Sequence, residues 1–199
     1  EQELRGLRQV GVDTVLCVTG DGRGYDVRTD VTQVFDLDST RLAALAASLG
    51  IRAAVAESPT APPVALRPRR LIQKQRAGAS IAVLNHCAVR DVREFVRAAR
   101  SSGLTIPVIA AVAVYTDVTS VAVLQSLPGL ELDADSVATV LDADDPVAAG
   151  IEVAVAQAGA VLAIDGVAGV NVSGLASQRG HRYAAEIKAE VGTRIRDAE

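Results

Sequence analysis

The sequence predicts an α/β fold built on a parallel sheet. Short apolar runs alternate with longer amphipathic segments, and almost no two of these runs are joined by a tight turn. Because neighbouring parallel strands need a long crossover, usually a helix, this alternation favours a parallel sheet. With 199 residues, of which 49% are hydrophobic, the chain can bury one sizeable core, and we expect a single domain over residues 1–199.

The individual elements follow from local patterns. Asp38 or Ser39 is predicted to cap the helix at 40–49, and Asp145 followed by Pro146 is typical of the start of another helix. Strands are predicted at 14–18, 51–56, 80–84, 107–113 and 169–172. Helices are predicted at 1–10, 40–49, 66–78, 88–102, 117–127, 146–158 and 178–196.

Composition excludes several classes of function. A net charge of −4 gives no electrostatic reason to expect nucleic acid as a partner. No apolar stretch reaches the roughly 18–20 residues that span a bilayer, and no secretion signal is evident, so we expect a cytoplasmic protein without a membrane partner. Cys17 and Cys87 lie in apolar surroundings and are expected to be reduced core residues.

No metal site is expected. The acidic residues Asp142, Asp144 and Asp145 are explained by helix capping and loop solubility, because no histidine or glutamate follows at ligand spacing. His86 and Cys87 are adjacent in a strand-like segment, so their side chains point to opposite faces and do not easily share one metal ion.

Two architectures fit the alternation. A doubly wound open sheet needs about five strands, whereas a (β/α)8 barrel needs eight units and roughly 250 residues. The chain contains no methionine and opens inside what resembles the end of a helix, so we expect its start to be missing. A dinucleotide-binding loop at 20–25 is disfavoured, since Tyr25 stands where a third glycine is required. Periodicity alone does not choose between the two folds.

The order and spacing of six segments resemble methylenetetrahydrofolate reductases. These segments are TGD at 19–21, VFDLDS at 34–39, AAVAESP at 53–59, KQRAGA at 74–79, SGLTIPVI at 102–109 and GVAGVN at 166–171. The resemblance implies a (β/α)8 TIM barrel of which this chain covers about the last five βα units. The family's catalytic glutamate, on the first strand, would lie in the missing part.

The resemblance further implies an oxidoreductase of one-carbon metabolism and methionine biosynthesis. It would reduce 5,10-methylenetetrahydrofolate to 5-methyltetrahydrofolate, with NADH or NADPH passing a hydride to bound FAD. Two alternatives stay open: an enzyme of tetrahydrofolate-linked demethylation, and a non-catalytic partner subunit on the same fold. Expected partners are the folate substrate and either a second copy of the chain in a homo-oligomer or a protein that supplies the missing strands.

The resemblance also implies roles for individual residues. Asp21 would be catalytic by tuning the flavin, although a loop aspartate that caps its own turn explains it equally simply. Lys74 matches a cofactor residue of the family, and Arg67 and Arg70 share its helix face. Arg70 and Lys74 are predicted to meet the cofactor's diphosphate, with the alternative that the two arginines face water. The complete set of expected FAD contacts is Val18, Thr19, Gly20, Asp21, Phe35, Asp36, Ala53, Val55, Arg70 and Lys74.

Two positions are expected to contact the folate. Asn85 falls where the family has a glutamine that hydrogen-bonds the pterin, and its amide is shorter by one CH2. Ser173 falls where some members have a substrate-contacting tyrosine. Both departures lie on the substrate side, and they are the reason for keeping the demethylation alternative.

Overall fold

The computed structural model describes residues 1–19, 36–127, 130–175 and 177–198. Within these residues the strands are β1 (Thr14–Cys17), β2 (Arg52–Glu57), β3 (Ala79–Leu84), β4 (Val108–Val114) and β5 (Val167–Gly174). The helices are α1 (Gln2–Gln9), α2 (Ser39–Ser48), α3 (Arg67–Arg76), α4 (Val89–Ser101), α5 (Val118–Ser126), α6 (Ala134–Leu141), α7 (Pro146–Leu162) and α8 (Gly180–Asp197). A 3-10 turn, Val64–Leu66, precedes α3.

The predicted elements agree with the observed ones in type, and their ends shift by a few residues. All five predicted strands form one parallel sheet. Asp38 and Asp145 cap α2 and α7 as expected, because their carboxylates accept hydrogen bonds from backbone N–H groups of the first helical turn. Helix α6 was not predicted from the sequence, although Asp133 caps it in the same way.

The strands follow one another across the sheet in chain order, and every neighbouring pair is parallel. A doubly wound sheet would need a point where the strand order reverses, and the described strands contain none. Because parallel crossovers are right-handed, a sequential order places the connecting helices on the same face of the sheet.

One face of the sheet is therefore the covered face. Its alternate residues are almost inaccessible to solvent and form one apolar cluster with the helices; they include Cys17, Ala53, Val55, Ala82, Leu84, Val108, Ala110 and Val112. Within the described residues, Cys17 and Cys87 are both buried and unpaired, which confirms the expectation of free thiols in the core.

The opposite face, here called the inner face, is apolar but less enclosed. Leu16 is 53% exposed, and Ile81, Val83 and Ile109 are only partly buried. None of these four side chains belongs to the apolar clusters that pack with the helices. This part of the inner face thus presents hydrophobic surface that the described helices do not cover, whereas Ala113, nearer the end of β4, packs with residues of α5 and α6.

The described residues contain neither a membrane-spanning helix nor a metal-binding cluster. None of their helices has the length and apolar character needed to cross a membrane. They also contain no group of three or more histidine, cysteine, aspartate or glutamate side chains placed to hold a metal ion.

Candidate functional site

The carboxyl ends of the five strands meet at one edge, here called the carboxyl edge. In parallel α/β proteins this is the edge at which ligands bind, because the following loops can vary without disturbing the core. The polar residues that leave the strands here are Thr19, Glu57, Ser58, Asn85, His86, Thr116 and Ser173.

The sheet opens between β3 and β4 as it approaches this edge. These two strands are in register only at Ala82–Val108 and Val83–Ile109, whereas β4 pairs with β5 along its whole length. The end of β3 instead stays with β2, since the Asn85 N–H donates to the Glu57 carbonyl at 2.8 Å. The opening leaves room for the side chain of the residue that follows Asn85.

That residue is His86, and its imidazole reaches across β4 to β5. His86 Nε2 lies 3.0 Å from Ser173 Oγ. Ser173 pairs in register with Ala113 of β4, whose side chain is a single methyl group.

Asn85 joins the same network from the other side. Its Oδ1 accepts the His86 N–H at 3.0 Å, and its Nδ2 donates to Ser58 Oγ at 3.4 Å. The two residues expected to contact substrate, Asn85 and Ser173, are thus brought together through His86. Sequence reasoning considered this histidine only as an acid or a metal ligand; the available signal was its place directly after a strand end.

The environment of His86 favours the neutral imidazole. The residue is only 7% exposed, and burial lowers its pKa from the ordinary value of 6.5, while the Val112 carbonyl acts in the opposite direction. His86 Nδ1 is fully buried and has no hydrogen-bond partner. Such an orphaned polar atom is uncommon in a protein interior and costs stability unless a ligand or water satisfies it.

A second buried polar group lies at the end of β2 and is charged. Glu57 is 3% exposed, and its carboxylate contacts Lys74 Nζ at 2.9 Å and Arg67 at 3.2 Å. Arg70 is more distant, at 3.9 Å, and its side chain is 45% exposed. We call Glu57, Arg67, Arg70 and Lys74 the Glu57 cluster.

Lys74 is largely engaged within the Glu57 cluster. It is 3% exposed and also donates to the Ala56 carbonyl at 2.6 Å. Burial lowers its pKa, the Glu57 carboxylate raises it, and the nearby charges of Arg70 and Arg67 lower it further. Arg67 likewise donates to the carbonyls of Ala61 and Pro62. The contact of Lys74 and Arg70 with a diphosphate stays a prediction. Of these two side chains, that of Arg70 is the more accessible to such a ligand.

The other expected flavin contacts divide into three sets. Val18 and Thr19 are exposed at the end of β1, and Thr19 Oγ1 accepts the Ser39 N–H at 3.1 Å. Asp36 is exposed, whereas Ala53 and Val55 are fully buried and face the helices. Gly20, Asp21 and Phe35 lie outside the described residues.

A cavity of about 530 Å³ adjoins Ser173. Apolar side chains from α5 and α8 form much of its wall, together with Leu175. Its polar lining consists of His86, Ser173, His181 and Lys188. The network at the carboxyl edge therefore opens onto a space that combines hydrophobic walls with hydrogen-bonding and cationic groups.

No protein-family model matches this chain, and no curated protein matches it. Among solved structures, the fold is similar to an uncharacterized protein from Clostridium thermocellum that is described as binding two copies of 5-methyl-5,6,7,8-tetrahydrofolic acid. The two share 12% sequence identity with a TM-score of 0.53, over 73% of this chain and 54% of that one. This similarity concerns the fold alone, and the chain spans about half the length of that protein.

Proposed function

We propose that this chain is part of a (β/α)8 barrel and that its carboxyl edge binds a reduced folate, with the pterin ring close to Asn85 and Ser173. The observation that carries the proposal is the hydrogen-bonded row Asn85–His86–Ser173, which crosses three strands at the edge where such folds bind ligands.

The barrel part of the proposal rests on the sheet. Sequential parallel order with helices against one face is the arrangement found in such barrels, and closing the sheet would enclose the apolar inner face. Closure would also pair the outer edges of β1 and β5, which have no partner among the described strands.

The folate part rests on chemical complementarity. The Asn85 amide and the Ser173 hydroxyl, which bond to Ser58 and His86, each combine donor and acceptor roles. Exchanging or sharing these bonds with a ligand would suit the mixed donor and acceptor edge of a pterin. The adjoining 530 Å³ cavity has apolar walls for an aromatic arm and Lys188 for a terminal carboxylate. A protein of similar fold that binds methyltetrahydrofolate supports the same ligand class.

We further propose, from the resemblance to methylenetetrahydrofolate reductases, that the complete protein is a flavin-dependent reductase of 5,10-methylenetetrahydrofolate. FAD supplies hydride chemistry when bound. The Glu57 cluster has three cations around one carboxylate, and this excess of positive charge suits an anionic group beside the half-exposed Arg70. Asn85 and Ser173 would orient the folate.

Folate binding is tested by substitution of Asn85. Removing a hydrogen-bonding group that pairs with a ligand costs about 1–3 kcal/mol, so Asn85→Ala should weaken 5-methyltetrahydrofolate binding roughly 5- to 150-fold in calorimetric titration. Asn85→Gln restores an amide and should retain binding. Gln2→Ala removes an exposed amide on α1 and serves as the control. Unchanged affinity in Asn85→Ala would refute the placement of the pterin.

The reaction is tested separately by flavin content. We expect the complete protein to show a flavin absorbance spectrum, or to acquire one on reconstitution with FAD, and to oxidise NADH or NADPH with methylenetetrahydrofolate. Flavin without folate turnover would instead favour tetrahydrofolate-linked demethylation. Folate binding by a protein that takes up no flavin would favour the non-catalytic partner subunit.

A further inference from the structure

A second cavity, of about 320 Å³, lies on the other side of His86. It is bounded by the start of α4, the segment that leads into α6, and the middle of α7. Ser173 lines the larger cavity but not this one, whereas His86 lines both. His86 is therefore the residue that the linings of the two spaces share.

One polar side chain in the wall of this smaller cavity lacks a hydrogen-bond partner. Tyr115 lines it and is 4% exposed, and its hydroxyl forms no hydrogen bond within the part of the chain that the structure describes. Buried polar groups are normally hydrogen-bonded, so an unpartnered hydroxyl in this wall indicates that a ligand or ordered water belongs there.

The charge of the lining is negative. Glu131 and Asp133 supply two carboxylates, and among the described residues Glu131 forms no ion pair. The single cation of the lining, Arg90, is 84% exposed and lies 3.4 Å from Asp91. Hydrogen bonds from Ser136, and to a smaller extent the charge of Arg90, hold the pKa of Asp133 below its ordinary value, so Arg90 offsets part of that charge and Glu131 carries the rest of the negative charge of the lining.

Two neutral groups of the lining respond to these carboxylates. Burial, assisted by Asp133, raises the pKa of Tyr115 to about 12. Burial, assisted by Asp91 and Glu131, raises the pKa of Cys87 to about 12 as well. Both residues are thus uncharged at neutral pH, and the lining offers acceptor oxygens without supplying a buried cation of its own.

The remaining lining sets the size and shape of what fits. Val89, Ala113, Leu132 and Val153 give apolar contact, and Gln157 adds an amide oxygen. A volume of this size lies at the small end of the range for ligand pockets, roughly 300–1,000 Å³. It has room for one ring with a short polar head.

We propose that this cavity binds a compact organic cation, a protonated amine or an amidinium, at a site distinct from the cavity beside Ser173. The Glu131 carboxylate, the Tyr115 hydroxyl and the Gln157 amide accept its N–H groups, while the apolar lining holds its body. This proposal does not depend on folate binding. Because His86 belongs to both walls, an occupant would contact the residue that holds Ser173.

Three probes of nearly equal shape test the charge requirement on the full chain: benzamidine, benzamide and benzoate. We expect benzamidine to bind measurably in calorimetric titration, benzamide to bind about tenfold or more weakly, and benzoate not to bind, because the acceptors favour a cationic donor. The proposal is overturned if benzamide or benzoate binds as tightly as benzamidine, or if none of the three binds at about 10 mM.

Variants then locate the site. Glu131→Gln should weaken benzamidine binding about tenfold, and Tyr115→Phe should weaken it several-fold. Glu3→Gln removes an exposed carboxylate of α1 and should have no effect. Because the Tyr115 hydroxyl forms no hydrogen bond with described residues, Tyr115→Phe should keep the parent's thermal unfolding. Equal affinity in the parent, Glu131→Gln and Tyr115→Phe would place benzamidine elsewhere and refute the proposal.

Discussion

Two buried polar groups at the carboxyl edge differ in how completely their partners satisfy them. In the Glu57 cluster, the carboxylate has Lys74 and Arg67 as close partners, and Lys74 has a backbone carbonyl in addition. In the pair formed by His86 and Ser173, one ring nitrogen is hydrogen-bonded and the other is orphaned. The first group is charged, and its charged atoms have partners within the cluster. The second group is neutral, and one of its ring nitrogens has no hydrogen-bond partner.

We take this difference, rather than residue type, as the guide to which group stabilises the fold and which group a ligand would complete. Lysine and arginine beside a strand end suggested phosphate binding from sequence, yet the Lys74 ammonium is buried against Glu57. The sequence offered little reason to assign His86 to the site, yet His86 connects the two predicted substrate residues. Free hydrogen-bonding capacity, rather than charge, marks the group that a ligand would complete.

The largest expected effect is on the Glu57 cluster. Glu57→Gln removes the carboxylate and leaves Lys74 as an uncompensated buried charge, which should lower the free energy of unfolding by about 3–5 kcal/mol. Urea titration monitored by circular dichroism measures this change. A loss below about 1 kcal/mol would mean that the ion pairs of the Glu57 cluster contribute little to the stability of the fold.

Arg70 provides the internal control for that experiment. Its guanidinium is 3.9 Å from Glu57 and its side chain is 45% exposed, so Arg70→Gln should change the free energy of unfolding by only about 0–1 kcal/mol. If Arg70→Gln destabilises the protein as much as Glu57→Gln does, the guanidinium contributes to the cluster as strongly as the closer Lys74, contrary to the geometry.

An intermediate effect is expected from Ser173→Ala. Without the hydroxyl, His86 would lose its hydrogen bond to Ser173, and leaving that buried nitrogen unsatisfied should cost about 1–3 kcal/mol in free energy of unfolding. The same titration applies, with Ser126→Ala as control, because Ser126 is exposed on α5 and bonds only to its own helix. Equal stability of the two variants would show that the His86–Ser173 contact is energetically neutral.

The smallest expected effect is a pH dependence of the free energy of unfolding that arises from His86. Its pKa is lowered in the folded state, so as pH falls below about 6.5 the unfolded chain takes up a proton before the folded protein does. Stability contributed by the neutral imidazole should therefore decrease from pH 7 toward pH 5. His86→Gln should flatten this slope relative to the parent, whereas His181→Gln, which changes an exposed residue, should not. Identical slopes in all three proteins would contradict the lowered pKa.

The agreement between sequence and structure is closest where the determinants are local. Strand β4 is a run of small and β-branched apolar residues, and α7 begins at an aspartate followed by proline; both are readable from a few neighbouring residues. Helix α6 was missed even though Asp133 provides an N-cap. Its eight residues form less than three turns, and its buried residue Val140 packs in the apolar cluster that includes Tyr115.

The candidate site shows the same division. The sequence placed Asn85 and Ser173 at strand ends, and it could do so because each follows or closes an apolar run. It could not show that His86 joins them, since that contact spans 87 positions of the chain and requires β3 to separate from β4. Nor could it show that Lys74 lies under Glu57, 17 positions earlier, with its ammonium buried.

The sequence by itself determined the α/β class, the parallel sheet and which residues leave its strands at the carboxyl edge, because these depend on periodicity and capping within short segments. Only the tertiary structure decided that the strands lie in chain order, that the inner face stays apolar and partly exposed, and which polar groups find partners. Those outcomes depend on contacts between residues far apart in the chain, and no local pattern encodes which buried donor will meet which acceptor.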